Sequence, residues 1–350
     1  MRSYVPKKIL TCPEVSFLSL RGYTGPPVVA LQRCESEEEI YEATAKAVKM
    51  AGIEKVVRSG DRVLLKTNAS HPRQVDDGAV VDPRVVLGVA ECALESGARE
   101  VYIADASSER AKSTIDVFNF LGYDEVVKKT GANLVDFNLK PYVRAKVPGG
   151  GFTYDDYVFN ELMTKVDVLI SIMKMKTHSE ARVALGMKNL IGLVPFEPVK
   201  GYRRWIYMHP GEYVPKDTTK LDYKESRARI AARLRWGKSN PKLHGVITDI
   251  NLICPISMTV IDGFIGMEGN GPWLGDSIKP KLILAGFDPL ASDSIAATIM
   301  GFDPRHIEHF TYAKERGIGE IDPNKIELRG LSIKEARCPF KPGVTDTTLL

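Results

Sequence analysis

Short apolar runs alternate along this chain with longer stretches whose apolar positions recur at helical spacing. The first such stretch is 36–51, where Ser36 and Glu39 have capping-box spacing and Ile40, Ala47 and Val48 form a buried stripe. Arg62 to Lys66 follows Gly60-Asp61 and reads as a buried strand. After the polar loop NASHPRQVDDG comes a well-marked helix, with Asp82 as N-cap, Pro83 in its first turn and Gly97 as its stop. Its face carries Val85, Val86, Val89, Ala90, Ala93 and Leu94. Val101 to Asp105 is the next strand, and this strand–helix–strand order predicts a parallel pair with a right-handed crossover.

The pattern then repeats. Helices are predicted at 113–121 and 124–129, a strand at 133–137, and the most apolar strand of the chain at 166–173. The segment KMKTHSEARVALGMKNLIG follows, predicted helical over 181–190 and ended by Gly192 and Pro195. A helix at 243–254 leads to a strand at 256–261 that closes on Asp262, then to a glycine-rich loop reaching Gly275. A strand at 281–285, a helix from Asp288-Pro289 to Met300 and a last helix at 304–316 complete the series. The expected class is α/β, a mostly parallel sheet with flanking helices. The expected division is an N-terminal strand/helix segment (1–60), a core (61–330) in two halves meeting near residue 165, and a tail (331–350) covering an edge.

Composition narrows the picture. A hydrophobic content of 44% and a charged content of 26% over 350 residues are those of a globular protein, and a net charge of +4 is too mild to imply nucleic acid or membrane binding in bulk. The charge is uneven, however. Residues 198–241 read as a basic insertion acting as a lid or surface segment, with eleven Lys or Arg from Lys200 to Lys238 and a twelfth at Lys242. Trp205, Trp236 and four tyrosines are interleaved there, so RNA could bind through 200–242 by stacking and phosphate contacts. No apolar run approaches the ~18–20 residues of a membrane span, and Pro13 and Glu14 interrupt the basic N-terminus, so a cytoplasmic protein without a membrane partner is expected. The five cysteines (Cys12, Cys34, Cys92, Cys254, Cys338) form no C-x-x-C, hence neither a zinc ribbon nor an iron–sulfur motif. Cys92 and Cys254 read as buried, reduced thiols.

Candidate chemistry follows from the fold class, because ligands of parallel sheets bind beyond the carboxyl ends of the strands. Lys174, Lys176 and His178 stand two apart at the end of the most apolar strand, so continued extended geometry would put them on one face, facing an anion. His178 could serve there as general base or metal ligand. Lys188 and Asn189 are a polar pair in an otherwise apolar stretch, and Lys66 and Asn68 follow their strand in the same way. Asp105 either caps the next helix or binds ligand. The stretch DGFIGMEGNGPWLG offers Asp262 and Glu268, with Gly269 and Gly271 allowing close backbone approach to a ligand. Asp288 is expected as an N-cap, with Asp293 a further candidate. A divalent metal could be held by His178, His209, His244 and Asp249 only through convergence in space, since no paired-histidine spacing exists. Each has an ordinary alternative: solvated lysines, a turn at Asn68, glycines serving turns, satisfied histidines.

Taken in order, LLKTN, KMKTH, ALGMKNLIGL, VIDGFIGMEGNGPWLG and AGFDPLASDSIAATIMG resemble the domain-of-unknown-function three-sixty-two family, from Val63 to Gly319. The resemblance implies recurrent positions at Lys66, Asn68, Lys176, His178, Lys188, Asn189, Asp262, Glu268, Gly269, Gly271, Pro272, Asp288 and Asp293. Many relatives carry an attached ferredoxin-like cluster domain, but the cysteines here do not supply one, so electron transfer is not carried over. At fold level the order strand, polar loop with proline, Asp-Pro helix, strand also resembles the N-terminal half of nickel-pincer lactate racemases.

The expected function is an enzyme acting on a small carboxylate or phosphate by acid/base or metal-assisted chemistry in a strand-end cleft. Lys176, Lys188 and Asn189 would bind or polarise the anion, His178 would move a proton, and Asp262 or Glu268 would be the partner acid/base or a metal ligand. Lys66, Asn68, Asp105, Lys174, Gly269 and Gly271 would surround the ligand. The alternatives are a metal- or cofactor-binding redox protein and an RNA-binding or assembly module using the basic insertion. Substrate, reaction class and oligomeric state stay open.

Overall fold

The computed structural model describes residues 12–17, 19–108, 111–196, 204 and 240–343. Its first half contains β1 (Glu14–Val15), β2 (Val28–Arg33), α1 (Ile40–Ala51), β3 (Arg62–Lys66), α2 (Pro83–Glu95), β4 (Glu100–Asp105), α3 (Thr114–Leu121), α4 (Tyr123–Thr130) and β5 (Asn133–Asp136). Next come β6 (Tyr142–Lys146), β7 (Asp156–Asn160), β8 (Val168–His178), β9 (Arg182–Ala184) and the short α5 (Gly186–Asn189). After the insertion follow α6 (Pro241–Ile253), β10 (Met258–Glu268), β11 (Asp276–Ile278), β12 (Leu282–Gly286), α7 (Pro289–Ile299), α8 (Glu308–Glu315), β13 (Glu327–Gly330) and α9 (Ile333–Ala336).

The main sheet runs β13-β2-β12-β10-β8-β3-β4-β5, with β9 and β11 added as antiparallel flaps on β8 and β10. Along the main path only β12 opposes its neighbours, so the sheet is mostly parallel, as the α/β expectation requires. A smaller sheet, β1-β6-β7, packs beside it. Alternation along the strands sends side chains into two layers. Val63, Leu65, Val168, Ile170 and Ile172 join α1 and α2 in one core, whereas Leu64, Leu169 and Ile261 join α6, α7 and α8 in the other. The sheet is therefore covered on both faces, which leaves its strand ends for polar groups.

Local chemistry explains the well-read elements. The Asp82 carboxylate accepts the Arg84 amide at 2.8 Å, Pro83 opens α2, and Gly97 takes a left-handed φ of 98° beyond its end. Asp288 does the same for α7, accepting the Ala291 amide at 2.9 Å. The capping box expected at Ser36 does not form. Residues Glu37–Glu39 make a 3-10 turn, Ser36 makes no side-chain cap bond, and the Glu39 carboxylate takes the Glu35 amide at 2.8 Å. A capping box does form in the tail, between Ser332 and Glu335.

Two larger differences bear on the site. The predicted helix at 181–190 splits instead into β9, which folds back onto the end of β8, and the four-residue α5 followed by a 3-10 turn at Leu190–Leu193. The glycine-rich loop expected from Gly263 is largely strand, since β10 runs on to Glu268. Between Asp262, paired with Lys174, and Met267, paired with Lys176, the register slips, so Gly263 to Gly266 bulge outward. Glycine is needed there because a Cβ on Gly266 would lie 2.7 Å from the Met175 carbonyl oxygen. Gly78, at φ 67°, packs its α-carbon against the Gly266 backbone on the other side.

The insertion at 198–241, with its lid reading and His209, lies outside the described residues apart from Arg204, Asn240 and Pro241. No helix among the described residues is long and apolar enough to cross a membrane. Because Gly78 combines a left-handed φ with backbone contact, Gly78→Ala is expected to destabilise the fold by at least about 2 kcal/mol, read as a lower urea midpoint at unchanged slope.

Candidate functional site

β8 carries the site. It continues five residues past its predicted end, and every residue from Val168 to His178 is buried. Lys174, Lys176 and His178 therefore do share one face, the one that Ile170 and Ile172 occupy earlier in the strand. A polar strand end can be buried only if its charges find partners inside the protein.

Four lysines meet this demand in two different ways. Lys66, at the end of β3, binds Asp105 Oδ1 at 2.8 Å, Asn189 Oδ1 at 3.0 Å and the Thr67 carbonyl at 2.5 Å. Asp105 also accepts the Ala69 and Ala106 amides at 2.8 Å each. Gly192 lets the chain pass over this ion pair, since a Cβ there would lie 2.6 Å from Lys66 Nζ. Lys174 pairs with Asp262 at 2.6 Å, and Asp262 further accepts the amides of Asp82 and Phe264. These two ammonium groups are neutralised by carboxylates.

Lys176 and Lys188 are not. Lys176 Nζ donates to Asn68 Oδ1 at 2.9 Å and to the Ala79 carbonyl at 2.7 Å, both neutral acceptors, and lies 5.9 Å from the Trp273 ring centre. Burial, reinforced by the nearby Lys188 and Lys174 charges, pushes its pKa well below the ordinary lysine value. Lys188, on α5, makes no hydrogen bond or ion pair with a described residue and keeps partial contact with solvent. Protein packed around it still desolvates the ammonium and lowers its pKa to about 8, with Arg204 and Lys66 adding to the fall and the Glu180 carboxylate opposing it.

The remaining expected residues are placed as follows. Asn189 is fully engaged, accepting from Lys66 and donating to the Lys66 carbonyl, Ser171 Oγ and the Ile172 carbonyl within 3.1 Å. His178 Nδ1 accepts the amides of Glu180 and Ala181 at 3.0 and 3.2 Å, so a neutral ring carries its proton on Nε2. Glu268 turns away toward the tail, where Oε1 meets Lys341 Nζ at 2.9 Å and Oε2 accepts the Lys341 amide at 2.8 Å. Gly269 and Gly271 lock the end of β10 against β8: Thr177 Oγ1 donates to the Gly269 carbonyl at 2.8 Å, and the Ser179 amide to the Gly271 carbonyl at 2.9 Å. Asp293, buried and pushed up to about 7 by desolvation, accepts the amides of Gly186 and Met187 and fixes the start of α5.

Of the metal candidates, His209 lies outside the described residues, and Asp249 and His244 are engaged by other groups. Asp249 is bound by the amides of Phe152, Thr153 and Tyr154 and by the Tyr157 hydroxyl, while His244 meets His309. Among the described residues no group of three His, Cys, Asp or Glu side chains is placed to hold a metal ion. The sequence reading also passed over His71 and Trp273, whose rings lie 3.8 Å apart at the rim beside Lys176, with Ser108 Oγ 3.0 Å from His71 Nε2. Their signal was present: His71 follows β3 in the same polar loop as Asn68, and Trp273 closes the motif that holds Gly269 and Gly271.

Two outcomes test this electrostatic arrangement. Asp105→Asn leaves Lys66 buried without a counter-charge and is expected to cost about 3–5 kcal/mol in urea unfolding. For Lys188 the folded value lies below the unfolded one of 10.5, so between about pH 8 and 10.5 the unfolded chain holds a proton that the folded chain has released. Stability should therefore rise with pH across that window, and Lys188→Met should lessen the rise, the lowered Lys176 supplying part of the remainder, and stabilise the protein at pH 7 by on the order of 1–3 kcal/mol.

Comparison with known proteins places this arrangement in context. "Thylakoid-associated protein sll1697" of Synechocystis sp. is 26% identical over 284 residues, covering 80% of this chain and 74% of that protein. The lactate racemase apoprotein from Thermoanaerobacterium thermosaccharolyticum aligns at a TM-score of 0.44 and 10% identity, over 83% of this chain. This chain spans 62% of the racemase structure. Residues 63–298, which include β3, β8, α5 and β10, match a family described as Domain of unknown function (DUF362), and the chain belongs to that family.

Proposed function

We propose that the protein is an enzyme acting on a small anion, a carboxylate or a phosphate, held at the carboxyl ends of β3 and β8 by Lys176 and Lys188. One observation carries the reading. Of four lysines gathered there, two are matched by Asp105 and Asp262, and two, Lys176 and Lys188, contact no carboxylate among the described residues. Leaving a charge buried and unpaired costs several kcal/mol, whereas an anionic ligand between these amines would remove that cost. Arg204, whose guanidinium donates to the Ala106 and Val194 carbonyls, adds positive potential at Lys188.

The chemistry we assign is proton transfer. An amine with a pKa of about 8 is charged often enough to bind an anion and neutral often enough to take a proton near neutrality. His178 is the second proton-moving group, its ring held by two backbone amides. Asp262 and Glu268 take supporting roles in this reading, one neutralising Lys174 and the other fastening the tail. His71 and Trp273, their rings tilted by 49° to each other, flank the anion beside Lys176. We place the protein in the cytoplasm, where the buried thiols of Cys34, Cys92 and Cys254 would stay reduced.

Titration calorimetry with sulfate, phosphate and acetate near pH 7 tests the assignment. At least one of these anions is expected to bind, with affinity falling at least about tenfold in Lys176→Met and in Lys188→Met. Binding unchanged in both variants would remove the reading.

A further inference from the structure

The buried lysines differ in the number of their hydrogen-bond acceptors as well as in charge. An ammonium group has three N–H donors, whereas a neutral amine has two and a lone pair. Lys66 Nζ has three acceptors, Asp105 Oδ1 at 2.8 Å, Asn189 Oδ1 at 3.0 Å and the Thr67 carbonyl at 2.5 Å, the set of a charged group. Lys176 Nζ has two among the described residues, Asn68 Oδ1 at 2.9 Å and the Ala79 carbonyl at 2.7 Å. The Trp273 ring centre lies 5.9 Å from it, beyond hydrogen-bond reach. Two neutral acceptors fit a neutral amine, whose lone pair then points away from both.

These acceptors are held in place. Asn68 and Ala79 stand at the two ends of one loop, which the Val81 amide closes by donating to the Asn68 carbonyl at 3.1 Å. Gly78, next to Ala79, packs its α-carbon on the Gly266 backbone. Trp273 is tied to the same loop, because Arg73 Nη1 donates to its carbonyl at 2.9 Å while Arg73 Nε meets Asp77 at 2.8 Å. The Trp273 ring is partly exposed and lies 3.8 Å from that of His71. Lys176 itself is 1% exposed, so bulk water does not stabilise its charged form, and burial pushes its pKa well below the lysine range. An oriented neutral amine of this kind is a nucleophile toward carbonyl carbon.

We propose that Lys176 forms an imine with a small aldehyde or ketone that carries the anionic group, and that this carbonyl compound enters past Trp273. The Nζ lone pair adds to the carbonyl carbon, forming the C–N bond, and the π pair moves to oxygen. Both amine protons, those donated to Asn68 and Ala79, end on that oxygen. It leaves as water while the nitrogen pair closes the C=N bond. Amine and carbonyl thus give imine and water, and nothing is oxidised or reduced. Once protonated, the imine nitrogen keeps one N–H for one of the two acceptors. The imine draws electrons from the adjoining carbon and loosens its C–H bond, which gives the proton transfer assigned above a substrate class. The proposal rests on that reading for the anionic group, held by Lys188, but not for the imine itself.

Reductive trapping tests it. The protein is treated at pH 7 with a limiting dose of glyoxylate or of uncharged acetaldehyde, each with cyanoborohydride, and labelled lysines are located by peptide mass spectrometry at early times. Exposed lysines are protonated at that pH and react slowly. Lys176 should be the first lysine to carry label, with glyoxylate ahead of acetaldehyde. Lys176→Met should lose that label, and Trp273→Ala should speed its appearance severalfold. Label spread over exposed lysines with Lys176 bare, in both the parent protein and Trp273→Ala, would overturn the imine. An unchanged rate in Trp273→Ala would overturn the entry route. Equal labelling of Lys176 by the two aldehydes would keep the imine and remove the anion reading, so the two fail separately.

Discussion

Four lysine ammonium groups share the carboxyl ends of two adjacent parallel strands and their neighbouring turns, and among the described residues the carboxylates in contact with them number two. Lys66 and Lys174 take Asp105 and Asp262. The positive charge left at Lys176 and Lys188 has to be met by losing a proton or by gaining an anion. Desolvation works toward the first outcome and holds both amines below the ordinary lysine range. An anionic ligand would produce the second. The site is thus poised between two protonation states by its own surroundings, the condition that proton-transfer enzymes require.

The backbone around the lysines serves this arrangement. β8 stays extended to His178 because its alternate side chains are satisfied on both faces: Lys174 and Lys176 on one, Ser171 and Thr177 on the other, bound to the Gly186 and Gly269 carbonyls. The bulge of β10 at Gly263 to Gly266 moves that strand aside, and Gly78 and Gly271 let loops close directly onto its backbone and that of β8. Asp293 anchors α5 by two amides, which fixes where Lys188 stands. Even the tail takes part, since Lys341 clasps Glu268 with both its amide and its ammonium.

Much of this was legible in the sequence wherever the signal was local. The Asp-Pro starts of α2 and α7, the apolar run of β8 and the two-residue spacing of Lys174, Lys176 and His178 depend on near neighbours, and the structure reproduces them. The rest depended on partners far along the chain. Residues 181–190 have helical periodicity, yet β9 pairs with β8 and the Asp293 carboxylate, more than a hundred residues away, sets the start of α5. The glycines after Asp262 looked like a loop because composition cannot separate a flexible turn from a strand pressed against other backbones. The same holds for charge: nothing local distinguished Lys66, which has a counter-ion, from Lys176, which has only neutral acceptors.

The central claim is that Lys188 stands desolvated beside a second uncompensated amine and takes up a proton when an anion arrives. Following the ε-carbon signal of Lys188 by NMR across pH 6 to 11, with and without saturating sulfate, measures this most directly. The account predicts a midpoint near 8 in the free protein, as its surroundings dictate, and a clear upward shift with sulfate bound. A midpoint at the ordinary lysine value of 10.5, unmoved by sulfate, would contradict it.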